Sequence, residues 1–232
     1  MENAALAVQP GAHTRVHTSL LAAAEKRLLV WLAGRLPRRI TPDHLTALGA
    51  AAMVGAGLVF AAARHTPWAL AFIPVLLAVN WFGDSLDGTL ARVRRQQRPR
   101  YGFYLDHVVD IVNATVLFGG MSVSGLVSPW IAAALLVGYL LLCAESFLAT
   151  HALGVFRISF SWFGPTELRI LLSAGALAVM ARPEVMPFGL GPYRLFDVGG
   201  FIGAAGMLMA FAISAARNTR ELHTAEPLEK AA

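Results

Sequence analysis

The sequence predicts an all-α integral membrane bundle of six spanning helices, preceded by an N-terminal interfacial amphipathic helix. Hydrophobic residues make up 56% of the 232-residue chain and charged residues only 14%, with a mean hydropathy of +0.59, which excludes an ordinary soluble domain. Six apolar runs, at roughly 41–63, 67–91, 102–126, 129–152, 165–182 and 196–216, each approach the ~20 residues needed to cross a bilayer. The basic residues are also sorted. Arg15, Lys26, Arg27, Arg35, Arg38 and Arg39, the five arginines of 92–101, two in 153–169, and Arg217, Arg220 and Lys230 fall on one side of a six-span topology. Only Arg64, Arg182 and Arg194 fall on the other, so the positive-inside rule places both termini in the cytoplasm of an inner-membrane protein.

Taken in order, residues 1–17 are small and polar, with no basic segment leading into an apolar run, and read as a flexible tail rather than a cleaved signal. Residues 18–218 form one membrane domain. From 18 to 36, Leu20, Leu21, Leu28, Trp31, Leu32 and Leu36 recur at helical spacing. Glu25, Lys26, Arg27 and Arg35 interrupt any span there, the pattern of a helix lying in the headgroup boundary. Pro37 to Arg39 break it, and Thr41-Pro42-Asp43 starts the first span with a capping residue followed by a first-turn proline. The segment 219–232 reads as a second flexible tail. The single cysteine, Cys143, lies in an apolar run and excludes an intrachain disulfide.

One stretch does not fit a passive membrane anchor. Between Asn80 and Asn113 four carboxylates stand in apolar sequence, as D-x-x-D-G-x-x-A-R followed after nine residues by G-x-x-x-D-x-x-x-D. The i/i+3 and i/i+4 separations put Asp84 with Asp87, and Asp106 with Asp110, on single helix faces, so two facing helices would converge all four. Buried like charges repel and are costly to desolvate, so a cation belongs among them. Hard oxygen donors without a His or Cys cluster favour Mg²⁺ or Mn²⁺, two ions balancing four charges, with a pyrophosphate completing the coordination. Gly88 and Ala91 leave room for a nucleotide near the helix backbone, and Arg92 adds a phosphate donor. By the lysine and arginine count the motif lies at the cytoplasmic end of the second and third spans, within reach of a soluble nucleotide. No nucleic-acid-binding motif is present, and the net charge of +5 reads as membrane orientation plus attraction for anionic lipid or nucleotide. Glu167 and Arg169 open the fifth span behind Pro165, either serving the site or anchoring the helix end.

DSLDGTLAR with GFYLDHVVD resembles the signature of the CDP-alcohol phosphotransferases, membrane enzymes of phospholipid synthesis. The resemblance implies metal-dependent transfer of a phospho-alcohol group from a CDP-linked donor to an alcohol acceptor, releasing CMP, by a homodimer acting on a lipid substrate. It makes Asp84, Asp87 and Asp106 metal ligands and Asp110 the general base, itself also able to touch metal. Gly88, Ala91, Arg92 and Gly102 would shape the nucleotide site. TPDHLTALG resembles the opening of the family's first membrane helix, which brings Thr46 and Asp43 towards the cytidine, with Asp43 standing where Asn is frequent. His107 after Asp106, and Glu167 at the start of span five, resemble the choline/ethanolamine branch. They imply a soluble CDP-alcohol donor and a diacylglycerol-like acceptor, with His107 sharing proton transfer and Glu167 or Arg169 orienting the acceptor. The alternative is a CDP-diacylglycerol-dependent phosphatidyltransferase acting on a glycerol-phosphate, inositol-phosphate or serine acceptor. A cation-coupled transporter would also place acids in a bundle but leaves Gly88, Ala91 and Arg92 unexplained. A prenyl-diphosphate enzyme would not require the second half of the motif.

Overall fold

The computed structural model describes residues 22–153 and 165–227; the first tail, the residues 18–21 expected to begin the interfacial helix, and Phe163-Gly164 lie outside them. Among the described residues the chain forms α1 (Ala22–Arg35), α2 (Pro42–Ala62), a 3₁₀ segment (Pro67–Phe72), α3 (Ile73–Val93), α4 (Pro99–Val123), α5 (Pro129–Leu153), α6 (Pro165–Ala181) and α7 (Leu195–Ala225). A two-residue antiparallel ladder, β1 (Glu184–Val185) with β2 (Tyr193–Arg194), joins α6 to α7.

Local chemistry sets these boundaries. Thr41 caps α2: its hydroxyl accepts the His44 N–H at 3.3 Å, and the His44 ring accepts the Thr41 N–H at 3.2 Å, with Pro42 in the first turn. Helix α3 stops where Arg95 takes a left-handed conformation (φ 55°) and the Gln96 N–H turns back to the Ala91 carbonyl at 2.8 Å. Pro99 and Pro129 then begin α4 and α5. At the far end of the bundle, Ser128 donates both its N–H (2.5 Å) and its hydroxyl (2.7 Å) to Asp197, fastening the α4–α5 turn to the start of α7.

Helix α2 is the centre, packed along α3 on one side and α4 on the other, while α5 pairs with α7 and both α1 and α6 lie against α3. Lipid tails are as apolar as a core, so helices in a membrane gain little from apolar burial and depend on close backbone approach. Small residues supply that approach. A Cβ on Gly83 would lie 2.5 Å from the Leu45 carbonyl oxygen and 2.6 Å from the Gly49 nitrogen, which fixes α3 against α2. A Cβ on Gly57 would lie 2.6 Å from the Val116 carbonyl oxygen, and one on Gly120 would collide with the Gly57 carbonyl, which fixes α4 against α2 one end further on. Around the second contact Phe60, Leu70, Ile73, Leu77, Met121 and Val127 form the main apolar cluster, with Phe196 edge-on to Phe60 at 5.8 Å. A smaller cluster, Leu29, Ala33, Leu45, Leu86 and Leu90, seats α1 on α3.

Several expectations are refined. Helix α1 docks on protein through Leu29 and Ala33, while Leu28, Val30 and Trp31 face outward. Glu25, read as an interruption, accepts a 2.7 Å hydrogen bond from the Trp81 indole. Four helical stretches among the described residues, Pro42–Ala62, Pro67–Val93, Pro129–Leu153 and Leu195–Ala225, are long and apolar enough to cross a membrane. The other two expected spans fall short for separate reasons: α4 carries Asp106 and Asp110, and α6 has only 17 residues. The expected C-terminal tail from 219 is helical to Ala225, because helix-forming Arg220, Glu221 and Leu222 carry α7 past Asn218.

The glycine contacts yield a paired prediction. Gly120→Ala is expected to destabilise the protein by about 1–3 kcal/mol through overpacking. Gly119→Ala, whose added methyl meets nothing within 4 Å, is expected to be neutral or to raise stability by up to about 1 kcal/mol. Melting temperatures of the two detergent-purified variants check both signs.

Candidate active site

The Gly49–Gly83 contact lies beside the first acidic pair, and its effect is visible one turn away. Because the two backbones touch, Thr46 on α2 reaches across to α3 and donates its hydroxyl to Asp87 Oδ2 at 2.6 Å. Asp87 Oδ1 accepts the Gly88 N–H at 2.5 Å. Asp87 is thus a buried carboxylate with a bond to each oxygen, within electrostatic range of both Asp106 and Asp84.

Asp84, one turn deeper, is held differently. Arg169 on α6 donates Nη2 to Asp84 Oδ2 at 2.6 Å and Nε to Asn80 Oδ1 at 2.8 Å, and the Asn80 amide nitrogen donates to the Gly49 carbonyl at 3.0 Å. Asn80, Asp84 and Asp87 therefore form one stripe on α3, tied to α2 at its inner and outer ends and to α6 in the middle. Helix α4 presents the facing stripe of Asp106, Asp110 and Asn113, at i, i+4 and i+7. Asp84, Asp106, Asp110 and Asn113 border one small cavity with Thr46 and Asn80, about 10 Å³, the room of a single water.

The donor set suits a hard dication: carboxylate and amide oxygens at one cavity, without sulfur or imidazole. Among the described residues, no three His, Cys, Asp and Glu side chains form a ready-made ion cage. Asp84 is instead turned onto Arg169 and Asp87 onto Thr46, so bringing all four carboxylates to shared ions requires Asp84 to leave part of its guanidinium contact.

The remaining predicted residues separate into groups. Arg92 folds over Gly88 and donates to the Thr89 hydroxyl at 3.0 Å, next to the acidic stripe. Ala91 follows on the same helix, half-buried, and Gly102 opens onto free space. Asp43 is not at the cavity. It pairs with Arg98 across the mouth of an outer cleft of about 420 Å³, bordered also by Thr41, Gln96 and Gln97. Arg94 serves structure rather than ligand: its guanidinium donates to the Leu36, Pro37 and Ile40 carbonyls and clamps the α1–α2 linker. Glu167 sits half-buried in the first turn of α6, two residues before Arg169.

His107, expected to share proton transfer, lies on α4 between Asp106 and Asp110. Its Nδ1–H donates to the Phe103 carbonyl, and its ring lies against Phe103 (4.2 Å between centroids) and edge-on to Phe147 of α5 (4.9 Å). It does not border the acidic cavity. At about 100° per residue its side chain leaves α4 on the flank of the Asp106–Asp110 stripe that faces α5, where Phe147 lies against it.

Sequence reading missed Asn80, Asn113 and Glu25. The two asparagines were detectable, since they extend the acid spacing by i−4 from Asp84 and i+3 from Asp110. Glu25 was not, because its acceptor role towards Trp81, Ser85 (3.4 Å) and Thr166 (3.3 Å) needs three elements brought together.

Comparison with known proteins bears on the family and the fold. A family profile described as CDP-alcohol phosphatidyltransferase matches residues 39–215. A phosphatidylinositol phosphate synthase of Streptomyces avermitilis is 33% identical over 97 residues, 41% of this chain and 38% of that protein, so the match spans under two fifths of the relative. The crystal structure of Mycobacterium tuberculosis phosphatidylinositol phosphate synthase with CDP-DAG bound superposes with a TM-score of 0.51 at 24% identity, covering 89% of this chain and 99% of that one, and shows a shared fold. Both proteins are named as phosphatidylinositol phosphate synthases. With its profile match running from before α2 to within α7 and enclosing both acidic stripes, the chain belongs to the CDP-alcohol phosphatidyltransferase family.

Proposed function

We propose that this protein is a CDP-diacylglycerol-dependent phosphatidyltransferase, moving the phosphatidyl group from CDP-diacylglycerol to a hydroxyl of a water-soluble phosphorylated polyol and releasing CMP. An inositol phosphate is the acceptor that a likeness to the two phosphatidylinositol phosphate synthases favours. The observation that carries the reading is the cavity between helices of a membrane bundle that Asp84 of α3 borders together with Asp106 and Asp110 of the facing stripe, with Asp87 one turn from Asp84 and bonded to Thr46 of that cavity. The choline/ethanolamine reading rested on His107, whose ring lies against Phe103 and Phe147, and on Glu167 in the first turn of α6, a position that suits either donor.

In this reading Asp84, Asp87, Asp106 and Asp110 hold two Mg²⁺ or Mn²⁺ ions. Bound there, the ions polarise the pyrophosphate and offset charge on the leaving CMP. Thr46 and the Gly88 N–H fix the Asp87 carboxylate so that it does not reorient during turnover. Asp110 accepts the proton of the acceptor hydroxyl as that oxygen attacks phosphorus in line. Arg169 balances Asp84 and is the cation nearest the stripe from α6, suited to an acceptor phosphate. Arg92 and the outer cleft of Asp43 and Arg98, of a volume common for ligand pockets, serve the cytidine diphosphate. Helices α4 and α6 complete six spans by packing along α2 and α3, with termini and site on the cytoplasmic side, and two copies form a homodimer.

Three outcomes follow from this assignment. With Mg²⁺ or Mn²⁺, purified protein should release CMP and form a phosphatidyl product from CDP-diacylglycerol with an inositol or glycerol phosphate. Product from CDP-choline with diacylglycerol, and none from CDP-diacylglycerol, reverses the donor assignment; mass spectrometry of the lipid distinguishes them. Asp84→Asn, Asp87→Asn and Asp106→Asn should each abolish turnover, while Asp110→Asn should lose turnover and still retain labelled CDP-diacylglycerol. Thr46→Val removes one charge-assisted bond worth about 1.5–3 kcal/mol, so kcat should fall about 10- to 100-fold with the fold intact. Steady-state rates alongside melting temperatures check that last pair of claims.

A further inference from the structure

Asn113 borders the inner end of the acidic cavity, is 7% exposed, and has a side-chain oxygen with no hydrogen-bond partner. An amide oxygen withdrawn from water without a donor costs about 1–3 kcal/mol, so its place in a tightly packed bundle calls for a compensating ligand. Its counterpart across the cavity makes the contrast plain. Asn80, on the α3 stripe, uses its amide nitrogen on the Gly49 carbonyl and its oxygen on Arg169. Asn113 stands at i+3 from Asp110 and i+7 from Asp106, on the same face of α4, and the three border a space of about 10 Å³ with Asp84. That space admits one water or one small cation.

A neutral oxygen lacking a donor beside three carboxylates suits a ligand that is positive: such a ligand accepts its lone pair and relieves the carboxylate repulsion together. We infer that Asn113 supplies the neutral oxygen at the inner end of the dication site, bonding the ion directly or through a water on that ion. It is a positioning residue for the metal and touches neither donor nor acceptor. The inference rests on the metal-dependent reading above, and its test needs neither nucleotide nor lipid.

Detergent-purified protein is stripped with chelator and titrated with Mn²⁺ alone, with free Mn²⁺ read by electron paramagnetic resonance and stability by melting temperature. Asn113→Ala is expected to bind Mn²⁺ about tenfold more weakly, a loss typical of removing a supporting partner from a metal site. Asn113→Asp keeps an oxygen in place and should bind at least as tightly as the parent protein. Asn113→Leu, similar in size, removes the orphaned atom; it should melt at or above the parent temperature in chelator yet gain less when Mn²⁺ is added. Parent-level Mn²⁺ binding by both Asn113→Ala and Asn113→Leu overturns the inference. So does an Asn113→Leu variant that melts lower in chelator with an unchanged Mn²⁺ gain, since that marks a purely structural amide. If the parent protein binds no Mn²⁺ the metal-dependent reading falls as well, whereas binding by the parent with unaltered variants removes the Asn113 assignment alone.

Discussion

Everything at the site depends on how closely α2 can approach its two neighbours. Between Gly49 and Gly83, and again between Gly57 and Gly120, backbone meets backbone with no room for a Cβ. In a bilayer this packing is a main source of helix association, because apolar side chains gain little by leaving lipid for protein. The first contact sets the reach of Thr46 to Asp87 and of Asn80 to the Gly49 carbonyl. The second sets the distance of α4, and therefore how far the Asp106–Asp110 stripe stands from Asp84. Two packing contacts thus convert a spacing in sequence into a spacing between charges.

Charge balance is the second constraint. Four carboxylates in one bundle are unfavourable until something offsets them, and the protein offers graded compensation. Asp87 is held by neutral donors, Asp84 by a guanidinium from α6, and Asp43 at the outer cleft by Arg98. Arg169 already occupies one oxygen of Asp84, so an ion drawn to that carboxylate would compete with a guanidinium for it.

The sequence made the helical architecture legible because hydrophobic run length and proline punctuation are local signals. Pro42 and Pro165 mark the starts of α2 and α6 and the apolar run from 129 that of α5, while α4 begins at Pro99, ahead of the run expected from 102. The acidic stripes were legible for the same reason: i/i+3 and i/i+4 spacing is a property of one helix. What crosses between helices was not. The reach of Arg169 to Asn80 and Asp84 depends on α6 packing against α3, which no local spacing reveals. The packing of the His107 ring on Phe147 of α5 was equally out of reach, since an Asp-His dipeptide does not say which helix lies beside it. Arg94, counted among cytoplasmic basic residues, proved to be a clamp on three carbonyls, a role invisible to charge counting.

Helix α7 is longer than its task as a span requires. Its 31 residues extend about 46 Å, against about 30 Å of hydrocarbon in a typical bilayer. The excess of roughly 16 Å corresponds to its last ten or so residues, and Arg217, Arg220, Glu221 and His223 gather in that final stretch. A helix of this length outruns the hydrocarbon layer even when moderately tilted, and its charged residues lie in the part left over. Asn218, buried against Glu145 of α5 at 2.6 Å, ties the helix to the bundle. That bond holds the charged end of α7 to α5, so this end of the helix moves with the bundle rather than independently of it.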